Sequence, residues 1–333
     1  MGAEEALPLK RQRRYHSFGR KQGLRKTLPI ETDKNSAKSF KAVPAVKVVG
    51  ETVQECWIDL AGGRMRYLRT DSGPPLILVH GLMGYSFSWR FTMPALAPHA
   101  TVYAIDNLGA GLSTAPEGMD CSVRATADRV LQFADAMGIR EFDLLGTSHG
   151  GGVAIMAAAL SRERCDSRLK RLILVAPVNP WSPHGKRLAP FLATPLGSVV
   201  YRNTIERHRI FDYLWLRRLF SHGSKIPPDS LAGYRIPVFE NHVFRHAAHI
   251  LANWRSDLKE LESALPKIRD YPTLLIWGTK DRAVHFLSAE PLRCNFRDVR
   301  LIAFEDVGHL PYEEASAEFN AALIEFLTAG ARL

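Results

Sequence analysis

Four glycines surround a single serine where the chain reads LLGTSHGGGVAIMAAA, starting at Leu144. A buried strand and a helix can each be built without glycine, so glycines here mark a backbone pushed through a tight place. The arrangement that needs them is a sharp strand-to-helix turn. Ser148 then sits in a strained conformation with its hydroxyl projecting above a sheet, while Gly146, Gly150 and Gly151, lacking Cβ, let strand and helix approach. A Gly-x-Ser-x-Gly match alone recurs by chance. This one follows the strand-like run FDLLG and opens a run of small apolar residues with helical character over 150–160, which is the context the turn requires.

The remaining chain supplies the sheet around that turn. VQECWIDL and GRMRYLRT alternate about AGG and predict a hairpin. PPLILVHG is a continuous apolar run suited to a strand buried on both faces, and SWRFTMPALAPH after it reads as helical. The same rhythm continues: TVYAID then a helix over 122–137, RLILVAP, TLLIWG then a helix near Leu287, and VRLIAFED then a closing helix from Glu313 to Leu327. Strands alternating with helices predict an α/β fold with a mostly parallel sheet and helices on both faces. The expected organisation is a basic N-terminal tail over 1–47, a core over 48–177 and 251–333, and an inserted helical lid over 178–250. The insertion is rich in proline and aromatic residues and too long for a simple connection.

Charge divides along these boundaries. Residues 1–47 hold 12 Lys and Arg against 4 Asp and Glu, residues 178–250 hold 10 against 4, and the remainder is mildly acidic. The tail, without helical or strand period, reads as disordered and solvated, with a weak polyanion or membrane-surface contact as its one expected partner; no specific nucleic-acid binding is expected. No apolar run approaches the roughly 20 residues of a membrane span, and the N-terminus lacks the apolar segment of a secretory signal. Cys56, Cys121, Cys165 and Cys294 lie far apart with no metal-ligand spacing, which predicts reduced thiols and a cytoplasmic protein.

A serine hydroxyl is a poor nucleophile near neutral pH, so it needs a base, and the base needs an acid to orient it. Asp281 in WGTKDRAV and His309 in VGHLPYEE each follow a predicted strand, in the chain order Ser, Asp, His. After the strand before the lid, another place for such an acid, the chain has Val178-Asn179. Donors for a developing oxyanion come from the glycine-rich HGLMG, His80 to Gly84. The backbone N–H groups of Leu82 and His149 are the expected pair, and the His80 side chain is expected to hold the loop.

With HGLMG, IDNLGAGLS, GTSHGG, WGTKD and GHLPYEE in place over about 53–330, the chain resembles the α/β-hydrolase fold family, in its lidded esterase, lipase and haloperoxidase-like branch. The resemblance implies a cofactor-free serine hydrolase acting on an ester-type bond of a small, partly apolar substrate. Departures narrow it. Epoxide hydrolases and haloalkane dehalogenases of this fold carry Asp where this chain has Ser148. Carbon–carbon bond hydrolases commonly have Trp soon after the histidine, where Leu310-Pro311-Tyr312 stands. That activity and a non-catalytic small-molecule binder are the alternatives. Gly109-x-Gly111 lacks the third glycine and the ribose-binding acid of a dinucleotide site, so Asp106 and Ser113 are expected to be structural. His242, His246 and His249 fall on one helical face without a carboxylate or cysteine, and no metal site is expected. Arg187, Arg202, Arg207, Arg209, Arg217 and Arg218 in the lid could face the cleft and take an anionic substrate.

Overall fold

A hairpin starts the sheet: β1 (Gln54–Leu60) and β2 (Gly63–Arg69) pair antiparallel about Ala61-Gly62. The computed structural model describes residues 53–114, 116–182, 209–238 and 241–329, with Thr194, Leu196, Gly197 and Val199 between; the tail over 1–47 lies outside the described residues. β3 (Pro75–Val79), β4 (Thr101–Ile105), β5 (Phe142–Thr147), β6 (Leu169–Val175), β7 (Thr273–Gly278) and β8 (Val299–Phe304) complete an eight-stranded sheet in the order β1-β2-β4-β3-β5-β6-β7-β8. β2 is antiparallel to both its neighbours, and every other pair is parallel.

Side chains of the central strands alternate between two apolar layers, as the two-residue period of a strand demands. Ile77, Val79, Leu144, Leu172, Leu174, Leu275 and Trp277 face one layer, built with α2 (Val123–Ala136) and α3 (His149–Glu163). Leu76, Leu78, Leu145, Ile173, Val175, Leu274 and Ile276 face the other, with Trp89, Phe319 and Leu323. Strands covered on both faces need no polar side, which is why FDLLGT and TLLIWG are buried along their whole length.

Two expected helices are broken. Between Ser86 and Ala97 the chain forms a 3-10 turn (Ser86–Trp89) and the single-turn α1 (Met93–Leu96), because Pro94 has no N–H to continue a helix through it. The closing helix is two pieces, α8 (Pro311–Glu314) and α9 (Ser316–Ala329), separated at Ala315 with φ −135° and ψ 51°. Between β6 and β7 lie α4 (Arg209–Leu219), α5 (Ser230–Val238) and α6 (Asn241–Ala264), and α7 (Ala289–Arg293) follows β7. The lid boundary expected at residue 250 falls inside α6. This helix runs on until Leu258, Leu261 and Ala264 join the α2–α3 layer. Among the described residues, no helix is long and apolar enough to cross a membrane.

Candidate active site

The turn predicted from the glycines is present and strained. Ser148 lies between β5 and α3 with φ 54° and ψ −121°, a region that non-glycine residues rarely occupy. It is held by the ladder bond from its N–H to Val175 O (2.9 Å) and by the N–H groups of Gly151 and Val178, which donate to its carbonyl at 3.0 and 2.8 Å. A Cβ on Gly146 would lie 2.1 Å from Gly150 O, and one on Gly150 would lie 2.3 Å from His80 O and 2.4 Å from Val79 O. No side chain fits at either place, so the serine position depends on both glycines.

Asp281 and His309 leave the ends of β7 and β8, which are neighbours in the sheet, and this brings residues 28 positions apart into contact. His309 Nδ1 is 2.7 Å from Asp281 Oδ2, with both side chains buried. Asp281 Oδ1 accepts from the N–H groups of Ala283 (2.7 Å) and Val284 (2.9 Å), so the carboxylate is fixed from both sides. The His309 N–H donates to Leu219 O at the end of α4. Glu314, which the sequence reading passed over, tightens that junction: its buried carboxylate accepts from Gly308 N–H (2.8 Å) and Ser221 N–H (3.0 Å), and also binds the Ser221 hydroxyl. Lys225 Nζ stands 3.3 Å from it.

The HGLMG loop lies against the serine. A Cβ on Gly81 would meet Ser148 Cβ at 3.1 Å and Oγ at 3.6 Å. His80 anchors the loop from both ring nitrogens: the Asn107 N–H donates to Nε2 (3.1 Å), which leaves Nδ1–H to donate to Gly81 O (2.8 Å). His149 is the first residue of α3, where helical geometry leaves N–H groups without an intrahelical acceptor. Asp106 and Ser113 tie the neighbouring loops: the Asp106 carboxylate accepts from Ser86 N–H, Leu112 N–H and Arg66, while Ser113 Oγ donates to Asp106 O and accepts from Arg66 N–H. The Gly109-x-Gly111 segment is filled by this network, since a Cβ on Gly111 would fall 2.4 Å from Asp106 Oδ2. Asn179 is buried and bonded to Pro177 O and Ser288 Oγ, supporting the backbone.

Ser148, His149, Leu82 and His309 all open on a cavity of about 370 Å³. Its walls are mainly apolar, from Val178, Trp215, Phe244, Leu251, Trp254 and Leu310, and α4 to α6 form its far side. Of the six arginines named from sequence, Arg218 lines it. Arg217 is exposed beside it on α4; Arg187, Arg202, Arg207 and the Arg209 side chain lie outside the described residues. Ser88 and Tyr234, which also line the cavity, belong to a second network that the sequence reading missed. Buried Glu313 accepts from Arg90 (2.8 Å), Ser230 Oγ (3.0 Å) and the Tyr234 hydroxyl, and Tyr234 reaches Ser88 Oγ at 3.2 Å. Burial and the Glu313 charge hold the Tyr234 phenol well above its usual range, so it serves as a neutral donor. The signal was the acidic pair Glu313-Glu314 inside an apolar context, but its partners come from residues 90, 221, 230 and 234, which no local pattern connects.

Of the three histidines His242, His246 and His249, His246 is buried and His249 exposed, and among the described residues no group of three or more His, Cys, Asp or Glu is placed to hold a metal ion. His246 packs against Gly109 and, with His80 and His149, lines a small space behind the HGLMG loop. Burial, with His80 beside it, lowers the pKa of His149 to about 4; burial, together with the facing His149, His80, Arg129 and His249, lowers that of His246 to about 3. Both lie below the roughly 6.5 of an unfolded chain, so on acidification the unfolded state binds these protons first and stability falls from about pH 6.5 down to the native pKa values. Thermal melts followed by circular dichroism are expected to show a falling midpoint between pH 7 and pH 4. His246→Gln should lessen that loss by on the order of 3 kcal/mol at pH 4; an unchanged pH profile in the variant would contradict the assignment.

Known proteins agree with this architecture. The family model described as "Alpha/beta hydrolase family" matches residues 76–322. The chain is 31% identical over 279 residues to haloalkane dehalogenase 2 of Mycobacterium tuberculosis, covering 81% of this chain and 93% of that one. It is 28% identical over 277 residues to 2-hydroxymuconate semialdehyde hydrolase of Pseudomonas sp. strain CF600, covering 80% and 91%. Among solved structures, a bacterial membrane phospholipase A described as a virulence factor superposes with a TM-score of 0.69 at 27% identity, covering 85% of this chain and 88% of that one. The chain belongs to the alpha/beta hydrolase family, and hydrolysis is the activity that membership supports.

Proposed function

We propose that the protein is a serine hydrolase that cleaves an ester-type bond of a small, partly apolar substrate. The observation that carries this reading is a serine in a strained turn opening on the same apolar cavity as a histidine whose other ring nitrogen is tied to a buried aspartate at 2.7 Å. Ser148 Oγ attacks the carbonyl carbon while His309 Nε2 takes its proton, and Asp281 holds the imidazole in the tautomer that leaves Nε2 free to accept. Backbone N–H groups of Leu82 and His149 receive the oxyanion. The carbon–oxygen bond to the alcohol then breaks as His309 returns the proton to it. Water, deprotonated by His309, attacks the acyl-enzyme, and the acid product leaves.

The nucleophile also separates this chain from its dehalogenase relative. A carboxylate that displaces a halide forms an alkyl ester, which water can open. Serine would form an ether, which it cannot. Carbon–carbon hydrolysis is the second reading, favoured by the likeness to 2-hydroxymuconate semialdehyde hydrolase. The decisive assay is turnover of a p-nitrophenyl ester series from acetate to decanoate beside a ring-cleavage dienoate, with fluorophosphonate labelling of Ser148 located by peptide mass. Ester turnover with a chain-length optimum and labelling at Ser148 are expected. Turnover of the dienoate alone would select the second reading, and binding without turnover or labelling would make the protein a small-molecule binder.

A further inference from the structure

At the outer end of the cavity, α4 faces the loop that follows Asp281. Leu214, Arg217 and Arg218 from the helix and Arg282 and His285 from the loop enclose a crevice of about 330 Å³. Arg218 lines both this crevice and the cavity that holds Ser148, so the two spaces meet at its side chain. The three arginines come from segments 64 positions apart, and all are exposed. Several arginines elsewhere in the fold are neutralised, among them Arg90 by Glu313 and Asp229, Arg168 by Asp135 and Asp166, and Arg171 by Asp143; what sets the crevice apart is three guanidinium groups on one lining, unpaired among the described residues. Among the described residues, Arg217, Arg218 and Arg282 have no carboxylate within ion-pair distance. Asp281, the acid next to Arg282 in sequence, is buried and committed to His309 and two backbone N–H groups, and the Asp212 side chain, nearest in sequence to Arg217 and Arg218, lies outside the described residues.

Three guanidinium groups gathered without a counter-charge repel one another, and the repulsion is relieved by an anion with several acceptor oxygens. Guanidinium geometry suits carboxylate and phosphate, which it binds through paired N–H donors. From this we infer that the crevice is an anion subsite, and that the substrate has an apolar body for the cavity with a carboxylate or phosphate at its far end. The inference builds on the hydrolase reading for the reaction, while its binding claim stands on the crevice alone.

The test is therefore made first without catalysis, on Ser148→Ala protein. Trp215 and Trp254 line the cavity, and their fluorescence reports occupancy. Hexanoate and hexylphosphonate are titrated against uncharged hexanamide. At least one anion should bind about 10-fold tighter than the amide, and the better of the two identifies the group as carboxylate or phosphate. Adding R217Q, R218Q and R282Q together should collapse that ratio towards one, and the three lysine replacements should restore part of it. The ratio within each protein removes any general damage to the cavity. Equal binding of amide and anions, or an anion preference indifferent to the triple glutamine change, overturns the subsite. Hydrolysis of p-nitrophenyl hydrogen adipate and p-nitrophenyl hexanoate by the unmodified protein is the separate arm: an adipate preference supports the subsite as a substrate determinant. Anion binding in a protein that hydrolyses neither ester keeps the subsite and removes the ester-hydrolase reading.

Discussion

Ser148→Ala is expected to lower kcat for the best p-nitrophenyl ester by about 10⁴- to 10⁶-fold while leaving the fold intact. The size of the loss follows from what remains. The cavity, the Leu82 and His149 N–H groups and the His309–Asp281 pair would still bind the ester, but water would have to replace the hydroxyl without being held against the carbonyl. The alanine is also expected to stabilise the protein slightly or not at all, since φ 54° remains costly for any residue with a Cβ. Steady-state kinetics with a thermal melt checks both parts. Loss of activity with a midpoint lowered by many degrees would mean that the change broke the turn, and full activity would exclude Ser148 as nucleophile.

What could be read from the sequence was whatever short-range pattern and covalent order dictate. The glycines around Ser148 announced a turn because contacts of 2.1 to 2.4 Å leave no room for a Cβ, and steric exclusion of that kind is written into residue type. Strand order placed Asp281 and His309 at the ends of adjacent strands, since each follows an apolar run at the same edge of one sheet. Length was less legible than type. The stretch 88–99 reads as helical, yet Pro94 divides it; the last helix was expected to begin at Glu313, where the structure instead turns that side chain inward to Arg90, Ser230 and Tyr234. α6 crosses the expected lid boundary because its two halves have different partners, cavity at Phe244 to Trp254 and core at Leu258 to Ala264, and a periodic pattern does not show where the partner changes. The Arg217–Arg218–Arg282 grouping was half visible: two of its members stood out in the basic insertion, but the third sits beside Asp281 and joins them through the fold alone.

Asp281→Asn should cost about 10⁴-fold in kcat with little change in KM, nearly as much as removing the serine, although the residue never touches substrate. The geometry gives the reason. Asp281 Oδ1 accepts from two backbone N–H groups, Ala283 and Val284, so an amide must place its carbonyl oxygen there and turn its NH₂ towards His309. At 2.7 Å that NH₂ can only donate, which forces His309 Nδ1 to accept and puts the imidazole proton on Nε2, where the serine proton has to go. The ring stays in place but in the wrong tautomer. Raising the pH offers a check that a merely structural defect would not pass. As hydroxide becomes available to take the serine proton, the variant should recover activity steadily with pH while the parent protein stays level. A drop of less than 10-fold, or a loss that is flat from pH 7 to pH 10, would show that Asp281 does not orient the base.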